Sequence, residues 1–234
     1  MLEFNTAAPT EFAEEAERLG HRVRVLRVGG AADAFGRRAM SRDGWTERAY
    51  ADPDTYLAHR ARSVARIGPL LEAGDTVLDL ACGDAAFAEY LPTGVSYLGV
   101  DGSAEMADAA RARGHDVVVA DLNDYVPPQP VAVTTCFRAV YYARDRRAFF
   151  GHVAGYTRKK FVFDLNPRQY DLEPVIADLR SAGFSRIAVR PFFSPQRVAL
   201  PSPVVSGLRA LEGAGPIARL LLRKRFTYIC AAVR

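Results

Sequence analysis

The sequence feature that most constrains the fold is a short apolar run that ends at a glycine, Val77-Leu78-Asp79-Leu80-Ala81-Cys82-Gly83. From Thr76 to Ala81 the run is apolar apart from one acid, which is typical of a central parallel strand covered on both faces. Gly83 permits backbone angles that a side chain forbids and lets a ligand approach the main chain closely. Asp84 can then cap a helix that begins near Ala85. The pattern predicts a strand, a glycine turn and a helix, and nucleotide-like ligands bind at the open end of such a strand in a doubly wound sheet.

Two further predicted strands also end in an acid. Val95 to Val100 is a β-rich run followed by Asp101-Gly102-Ser103, and Asp116 to Ala120 is followed by Asp121 and Leu122. At the end of its strand Asp101 can accept hydrogen bonds from both hydroxyls of a ribose, as an acid does in dinucleotide-binding folds.

This combination of an acid, a glycine turn and two downstream acids resembles the class I S-adenosylmethionine (SAM)-dependent methyltransferases over roughly residues 60–234. The first motif of that family is an acid followed by Gly-x-Gly; here Asp79 is the acid, Ala81 holds the first glycine position and Gly83 the second. The resemblance implies that SAM is the cofactor and that S-adenosylhomocysteine (SAH) is the product. It also implies that Asp121 accepts a hydrogen bond from the adenine amino group, while the backbone N–H of Leu122 meets a ring nitrogen. The histidines are scattered along the chain, so no metal is expected.

Two neighbouring side chains complete this part of the predicted cofactor site. Phe137 is expected to stack near the adenine, and Met106 either packs against the adenine or belongs to the core. The cofactor-binding residues predicted from the strand ends are Asp79, Ala81, Cys82, Gly83, Asp101, Gly102, Met106, Asp121, Leu122 and Phe137.

A dinucleotide-binding domain is the competing interpretation, because it shares the acid after the second strand. It needs Gly-x-Gly-x-x-Gly so that a pyrophosphate can lie at a helix N-terminus. The loop after Asp79 has one glycine, and Asp84 would repel phosphates. SAM has no phosphate and its cationic end tolerates acids, so SAM is the predicted cofactor.

The segment after the fourth predicted strand, Val131 to Phe137, is expected to face the methyl acceptor. In the family that the chain resembles, residues at this point lie beside the transferable methyl group, which places Arg138, Tyr141 and Tyr142 at the acceptor pocket. Packing of the two tyrosines between the strand and the next helix is the alternative. The Asn/Asp-Pro-Pro-Tyr/Phe motif of DNA amino-methyltransferases does not occur here, so methylation of adenine or cytosine amino groups is not favoured.

A second polar loop follows the fifth predicted strand, Phe161 to Phe163. Its Asp164, Asn166 and Arg168 are candidates for orienting the acceptor or removing a proton. The preceding helix is predicted from Asp145 to Tyr156, and Arg158-Lys159-Lys160 is expected just after its C-terminus, where positive charge suits the helix dipole.

Residues 40–71 are predicted to be a helical cap. Related small-molecule methyltransferases cover the cofactor with an aromatic-rich pair of helices, and the resemblance places Tyr50, Tyr56 and Arg60 over the methionine end of SAM, where an arginine would pair with the cofactor carboxylate. An amphipathic helix packed on the sheet edge is the alternative.

Residues 1–39 are treated as an extension of uncertain structure before a methyltransferase domain over 40–234. Within them Glu11 to Leu19 favours a short amphipathic helix, and Arg22 to Val28 alternates like a half-buried strand. We hypothesise that this extension is dispensable for SAM binding.

Residues 192–225 are predicted to be a lid insertion before the last strand, Phe226 to Val233, which the family runs antiparallel. Two short apolar-basic helices, Val204 to Leu211 and Pro216 to Leu222, are expected there. They either pack as a lid or bind a bulky apolar acceptor or a lipid surface, because Leu220-Leu221-Leu222 precedes Arg223-Lys224-Arg225.

Composition excludes several classes of function. The net charge of +4 comes almost wholly from scattered arginines, so a nucleic-acid partner is not favoured. The three cysteines and four histidines match neither a disulfide framework nor a zinc spacing, which suits a reducing cytoplasm. No apolar run approaches the ~18 residues of a transmembrane helix. We expect a cytoplasmic protein without a membrane span, and the oligomeric state is left open.

The predicted fold is α/β: a Rossmann-like, doubly wound seven-stranded sheet with a reversed C-terminal hairpin, a helical N-terminal cover and a helical insertion before the last strand. The predicted function is transfer of a methyl group from SAM to an O, N or C atom of a small molecule, mainly by positioning and desolvation. An RNA methyltransferase and a non-catalytic SAM-binding protein are the alternatives.

Overall fold

The computed structural model describes residues 2–5, 11–20, 22–26, 44–166, 170–213, 215, 218 and 227–234. The N-terminal elements are, in chain order, strand β1 (Leu2–Asn5), helix α1 (Glu11–Arg18), strand β2 (Val23–Leu26), helix α2 (Trp45–Ala49) and helix α3 (Pro53–Arg66). The remaining elements are β3 (Thr76–Leu80), β4 (Ser96–Asp101), α4 (Ala104–Ala112), β5 (Val117–Val119), β6 (Val131–Cys136), α5 (Arg146–Tyr156), β7 (Thr157–Leu165), α6 (Leu172–Ser181), β8 (Arg186–Phe192), α7 (Ser202–Leu211) and β9 (Thr227–Val233).

The described strands from β3 onward form one seven-stranded sheet in the order β5-β4-β3-β6-β7-β9-β8. The pairs among β3, β4, β5, β6 and β7 are parallel, whereas β9 runs antiparallel to both of its neighbours. The order reverses direction at β3, where β4 lies on one side and β6 on the other. This confirms the predicted doubly wound sheet with a reversed C-terminal hairpin, and it places a crevice at the carboxyl ends of β3 and its neighbours.

The central strands are apolar because both faces of the sheet are covered. Every residue of β6 is buried, as are Val77 to Leu80 of β3. Successive side chains of a strand point to opposite faces, so Val77 packs with α3 residues such as Leu57, whereas Leu78 packs on the other face with Phe150 of α5.

Helix α1 belongs to the main core. Its Phe12 side chain is fully buried and meets the Tyr170 ring edge-on, with the ring centroids 5.0 Å apart. Glu15 of α1 also accepts a hydrogen bond from Arg146 of α5 at 2.8 Å. Strands β1 and β2 pair in parallel as a separate two-stranded sheet. Residues 1–39 therefore contain packed elements.

The structure corrects the prediction of a helix capped by Asp84 after the glycine turn. The segment Ala86–Tyr90 is a short 3₁₀ helix, and the residue before it, Ala85, adopts a left-handed conformation without a side-chain cap. Asp84 does not cap this helix, because its carboxylate is engaged by Thr46 of α2 instead. A buried acid after a glycine turn was thus wrongly assigned to the nearest helix.

The predicted position of the basic cluster Arg158-Lys159-Lys160 is also wrong, because the cluster lies inside β7 rather than after α5. Lys160 is fully buried, and its ammonium donates to the carbonyls of Val64, Ile67 and Pro69 at 2.6, 2.8 and 2.5 Å. These carbonyls lie in the last turn of α3 and just beyond it. Positive charge does stabilise a helix C-terminus here, but the helix is α3.

The segment before the last strand is described only in part. Helix α7 corresponds to the first predicted helix of the insertion, whereas the second predicted helix, Pro216 to Leu222, lies outside the described residues except for Ala218. In the described ranges no helix is long and apolar enough to cross a membrane.

Candidate functional site

A cavity of about 320 Å³ opens at the carboxyl ends of β3, β4 and β6, beneath α2 and α3. Most of the predicted cofactor-binding residues line it, and these are Tyr50, Arg60, Asp79, Ala81, Cys82, Gly83, Asp101, Gly102, Met106, Asp121, Leu122 and Phe137. The predicted acceptor residues Arg138, Tyr141 and Tyr142 line the same cavity.

Four predicted site residues do not line the cavity or are not described. Tyr56 is buried behind the wall, where its hydroxyl accepts a hydrogen bond from Arg60 at 3.1 Å. Asp164 lies just outside the lining and accepts a hydrogen bond from the backbone N–H of Arg138 at 2.6 Å. Asn166 also lies outside the lining, and Arg168 falls outside the described residues.

The glycine turn is held by the acid of the next strand. One carboxylate oxygen of Asp101 accepts from the Gly83 N–H at 2.8 Å, and the other accepts from the Ser103 N–H at 2.9 Å. Burial raises the pKa of this carboxyl. Because a carboxylate has about four acceptor positions, Asp101 can still accept hydrogen bonds from a ligand in the cavity.

Gly83 is required at its position for two reasons. Its φ angle is +61°, and an added Cβ would lie 3.2 Å from Cδ1 of Trp45. Trp45 therefore lies directly over the glycine turn as the first residue of α2. This close approach of helix to turn closes one side of the cavity.

Two other positions in the cavity wall hold non-glycine residues in the left-handed region. Ala81 has φ of 57° at the end of β3, and Arg138 has φ of 56° at the end of β6. Such backbone costs roughly 1–3 kcal/mol per residue and persists where the surroundings enforce it. The left-handed angle at Ala81 explains why the related motif has glycine there.

Asp79 is a buried carboxylate beneath the cavity floor. Its two oxygens accept from the hydroxyl of Thr135 at 2.6 Å and the hydroxyl of Tyr97 at 3.1 Å. Burial raises its pKa to about 6, against the opposing effect of these two hydroxyl donors and of Arg60. The carboxylate is therefore ionised near neutral pH and gives the cavity floor a negative charge.

Asp121 marks the far end of the cavity. One of its oxygens accepts from the backbone N–H and the side-chain amide of Asn123, at 2.9 and 2.7 Å. The other oxygen lies 3.3 Å from a guanidinium nitrogen of Arg144. These contacts fix the carboxylate at the cavity edge, 30% exposed.

Arg60 is a buried cation without a carboxylate partner among the described residues. It is 5% exposed, and it donates to the hydroxyls of Tyr50 at 3.3 Å and Tyr56 at 3.1 Å. Its guanidinium carbon also lies 4.4 Å from the ring centroid of Phe137. A buried charge is costly unless it is paired, so this guanidinium is prepared for an anion in the cavity.

The contact between α2 and the glycine turn was missed from the sequence. Asp84, 3% exposed, accepts from the backbone N–H of Thr46 at 3.1 Å and from its hydroxyl at 2.6 Å. Arg113, at the C-terminus of α4, contacts Asp84 at 3.4 Å and also pairs with Glu47 and Glu89. Thr46 and Asp84 are 38 residues apart, so no local sequence pattern predicts their hydrogen bonds.

The segment after β8 packs against the cap. Glu212 accepts from the Phe193 N–H at 2.7 Å and lies 3.0 Å from His59 of α3. Gln196 bonds to the link between α2 and α3, since its side chain donates to the Ala49 carbonyl and its own carbonyl accepts from the Ala51 N–H, both at 2.9 Å. The segment after β8 therefore packs against the cap formed by α2 and α3, which covers the cavity, but none of the described residues that line the cavity belongs to this segment.

Comparison with known proteins agrees with this geometry. Residues 77–160 match the family described as a methyltransferase domain. Trans-aconitate 2-methyltransferase of Mycobacterium tuberculosis is 37% identical over 104 residues, which cover 40% of this chain and 39% of that protein. The match therefore spans well under half of the curated relative.

Solved structures share the fold. The protein bound to the Trm112 methyltransferase activator in a Haloferax volcanii complex has a TM-score of 0.58 at 21% identity, covering 87% of this chain and 95% of that one. Magnesium protoporphyrin IX methyltransferase of Synechocystis with bound SAH has a TM-score of 0.56 at 13% identity, covering 88% and 95%.

Proposed function

We propose that this chain, a class I SAM-dependent methyltransferase by its matched domain and its fold, binds SAM in the cavity and transfers the methyl group to a small-molecule acceptor. The observation that carries the proposal is the convergence of three strand-end acids, a strained glycine turn and the buried, carboxylate-free guanidinium of Arg60 on one cavity. This charge pattern complements SAM, which has one carboxylate and a cationic ammonium and sulfonium.

The wall residues have distinct proposed roles in holding SAM. Asp101 accepts from the ribose hydroxyls with its remaining lone pairs, and Asp121 with the Leu122 N–H recognises the adenine edge. Arg60 pairs with the carboxylate at the methionine end, in a charge-assisted contact that is strong because it is desolvated. The ionised Asp79 beneath the floor favours the cationic groups of the cofactor.

Bound SAM would supply a methyl group already activated on sulfur, so the contribution of the chain is to position the acceptor and exclude water. Trp45 and Tyr50 of the cover and Tyr141 and Tyr142 at the far wall form an aromatic enclosure suited to both tasks. Trans-aconitate 2-methyltransferase, the curated relative, is named for a small molecule, which supports a small-molecule acceptor here.

The cysteines that the structure describes, Cys82, Cys136 and Cys230, are free thiols, which fits a cytoplasmic protein.

Calorimetric titration of the full chain with SAM and with SAH tests the proposal. We expect micromolar binding of both by the wild type. Asp101→Asn keeps the shape of the carboxylate but turns an acceptor oxygen into a donor, so it is expected to weaken both affinities at least about tenfold. Asp108→Asn is the matched control, because Asp108 lies on α4 with its side chain 74% exposed. Folded wild-type protein that binds neither ligand would refute the proposal.

A further inference from the structure

The cavity wall contains two guanidinium groups where the cofactor needs one. Arg60 is on α3 and Arg138 follows β6, and both line the cavity. Neither forms an ion pair with a carboxylate within the part of the chain that the structure describes. SAM has a single carboxylate, so one cation is left to be matched by a second anion.

Arg138 is the cation that the single carboxylate of SAM leaves unmatched, because Arg60 is assigned to that carboxylate. Its left-handed backbone is held by the hydrogen bond from its N–H to Asp164, which sets the direction in which the side chain leaves the end of β6. The guanidinium carbon lies 5.8 Å from the ring centroid of Trp45 and 5.7 Å from that of Tyr50. The group therefore lies at the cover side of the cavity, near two aromatic rings.

In the described part of the chain, the acidic groups that line the cavity already have hydrogen-bond partners within the protein or stay protonated near neutral pH. None of the described lining residues is a histidine. Each of the four lining carboxylates already accepts hydrogen bonds: Asp79 from Thr135 and Tyr97, Asp84 from Thr46, Asp101 from Gly83 and Ser103, and Asp121 from Asn123. Burial raises the pKa of Tyr141 to about 12, so this hydroxyl stays protonated near neutral pH. An acceptor that has no proton to lose needs none of these groups as a base.

On this basis, and resting on the proposed function, we propose that the acceptor is a carboxylic acid that is held as its carboxylate by Arg138 and methylated on a carboxylate oxygen. Each carboxylate oxygen has two lone pairs, so an oxygen that accepts a hydrogen bond from a guanidinium keeps a lone pair with which to attack. A lone pair of that oxygen forms the new bond to the methyl carbon as the carbon–sulfur bond of the donor breaks. The sulfonium becomes a neutral thioether, the carboxylate becomes a neutral methyl ester, and no proton is transferred.

The first test measures acceptor binding without turnover. Trp45 is the one tryptophan of the chain and lies beside Arg138, so its fluorescence reports an occupant there. The full chain, saturated with SAH, is titrated with aliphatic and aromatic mono- and dicarboxylic acids, each paired with its amide. We expect saturable changes with acids, much weaker changes with the amides, and acid binding weakened about 10- to 100-fold in Arg138→Met through loss of a charged hydrogen bond.

Two variants separate this proposal from the proposed function. Arg138→Met is expected to change the SAH affinity by less than about threefold, whereas Arg60→Met lowers it by at least about tenfold. Arg147→Met controls for net charge, because Arg147 lies on α5 with its side chain 70% exposed. If Arg138→Met weakens SAH as much as Arg60→Met does, Arg138 belongs to the cofactor site and the proposal is overturned. Wild-type protein that binds no SAH contradicts the proposed function instead.

The second test identifies the bond formed. SAM labelled in its methyl group is incubated with the wild type and the same acids, together with phenols and amines. Methyl esters release volatile labelled methanol in alkali, whereas methyl ethers and N-methyl groups do not. We expect alkali-labile label on the acids. Label that is stable to alkali, or an SAH complex in which no acid changes the Trp45 signal, would overturn the proposal.

Discussion

The buried ammonium of Lys160 is predicted to be a major source of stability for the cap. It is the hydrogen-bond donor to three carbonyls, those of Val64, Ile67 and Pro69, for which no other partner occurs among the described residues. Lys160→Met keeps an unbranched side chain, one atom shorter, and removes all three donors. A buried acceptor left without a partner costs about 1–3 kcal/mol, so three of them give about 3–9 kcal/mol before any offset.

Two effects limit the loss to about 3–5 kcal/mol. The methionine variant has no ammonium to bury, and the desolvation cost that it avoids offsets part of the lost hydrogen bonding. The carbonyl of Pro69 is in partly buried surroundings, where water can replace the ammonium. Because small domains unfold with about 5–15 kcal/mol, the variant should remain folded with a much lower urea midpoint.

The assay is unfolding in urea monitored by circular dichroism. The free energy of unfolding and its dependence on urea concentration are compared between the variants and the wild type. Lys159→Met is the control, since Lys159 is an adjacent lysine that pairs with Glu72 and Asp75 near the surface. A surface pair contributes about 0–1 kcal/mol, so this variant should resemble the wild type. If Lys160→Met loses no more stability than Lys159→Met, the capping role is wrong.

Four further predictions follow from the cavity and the core. Ala81→Gly relieves the left-handed strain at φ 57° at some cost in unfolded-chain entropy, and should raise the free energy of unfolding by about 0.5–1 kcal/mol in urea titrations; a lower midpoint contradicts this. Burial raises the pKa of Asp79 to about 6, so this carboxylate becomes protonated below that pH and loses its negative charge. The affinity for SAM should then fall by at most about tenfold per pH unit. In Asp79→Asn the affinity should fall less over the same pH range. In the apo protein the same raised pKa means that the folded state binds the extra proton, so the contribution of Asp79 to stability is lost as pH rises from about 4 to about 6. Phe12→Ala should cost about 3–5 kcal/mol because Phe12 is fully buried in the main core; a loss below about 1 kcal/mol in thermal or urea unfolding would instead support a dispensable N-terminal segment.

The strand-end chemistry could be predicted from the sequence because each signal is local. Asp79 is the last residue but one of β3, and Asp101 and Asp121 each follow an apolar run at once. Each acid therefore marks a strand end, and parallel strands bring such ends to one edge. The antiparallel placement of β9 came from the resemblance to a family and was confirmed by its pairing with β7 and β8.

The parts that were missed depend on contacts between distant segments. Asp84 is placed correctly for a helix cap by its position after Gly83, yet the donors that it meets belong to Thr46 on another helix. The run Arg158-Lys159-Lys160 has the composition of an exposed cluster, and Lys160 is buried because carbonyls from α3 satisfy its ammonium. Neither partner lies close enough in sequence to produce a pattern.

The antiparallel direction of β9 has a consequence for how such a protein can be altered. Phe192 at the end of β8 pairs with Thr227 at the start of β9, so the stretch between them leaves and re-enters the sheet at neighbouring positions on the edge where the cavity opens. Exchange of that stretch for another of different length leaves the register of the sheet unchanged, and doubling its length costs only about 0.6 kcal/mol in loop closure. This junction is therefore a natural grafting point, at which the stretch between β8 and β9 can be exchanged while the strand ends that form the cavity are kept.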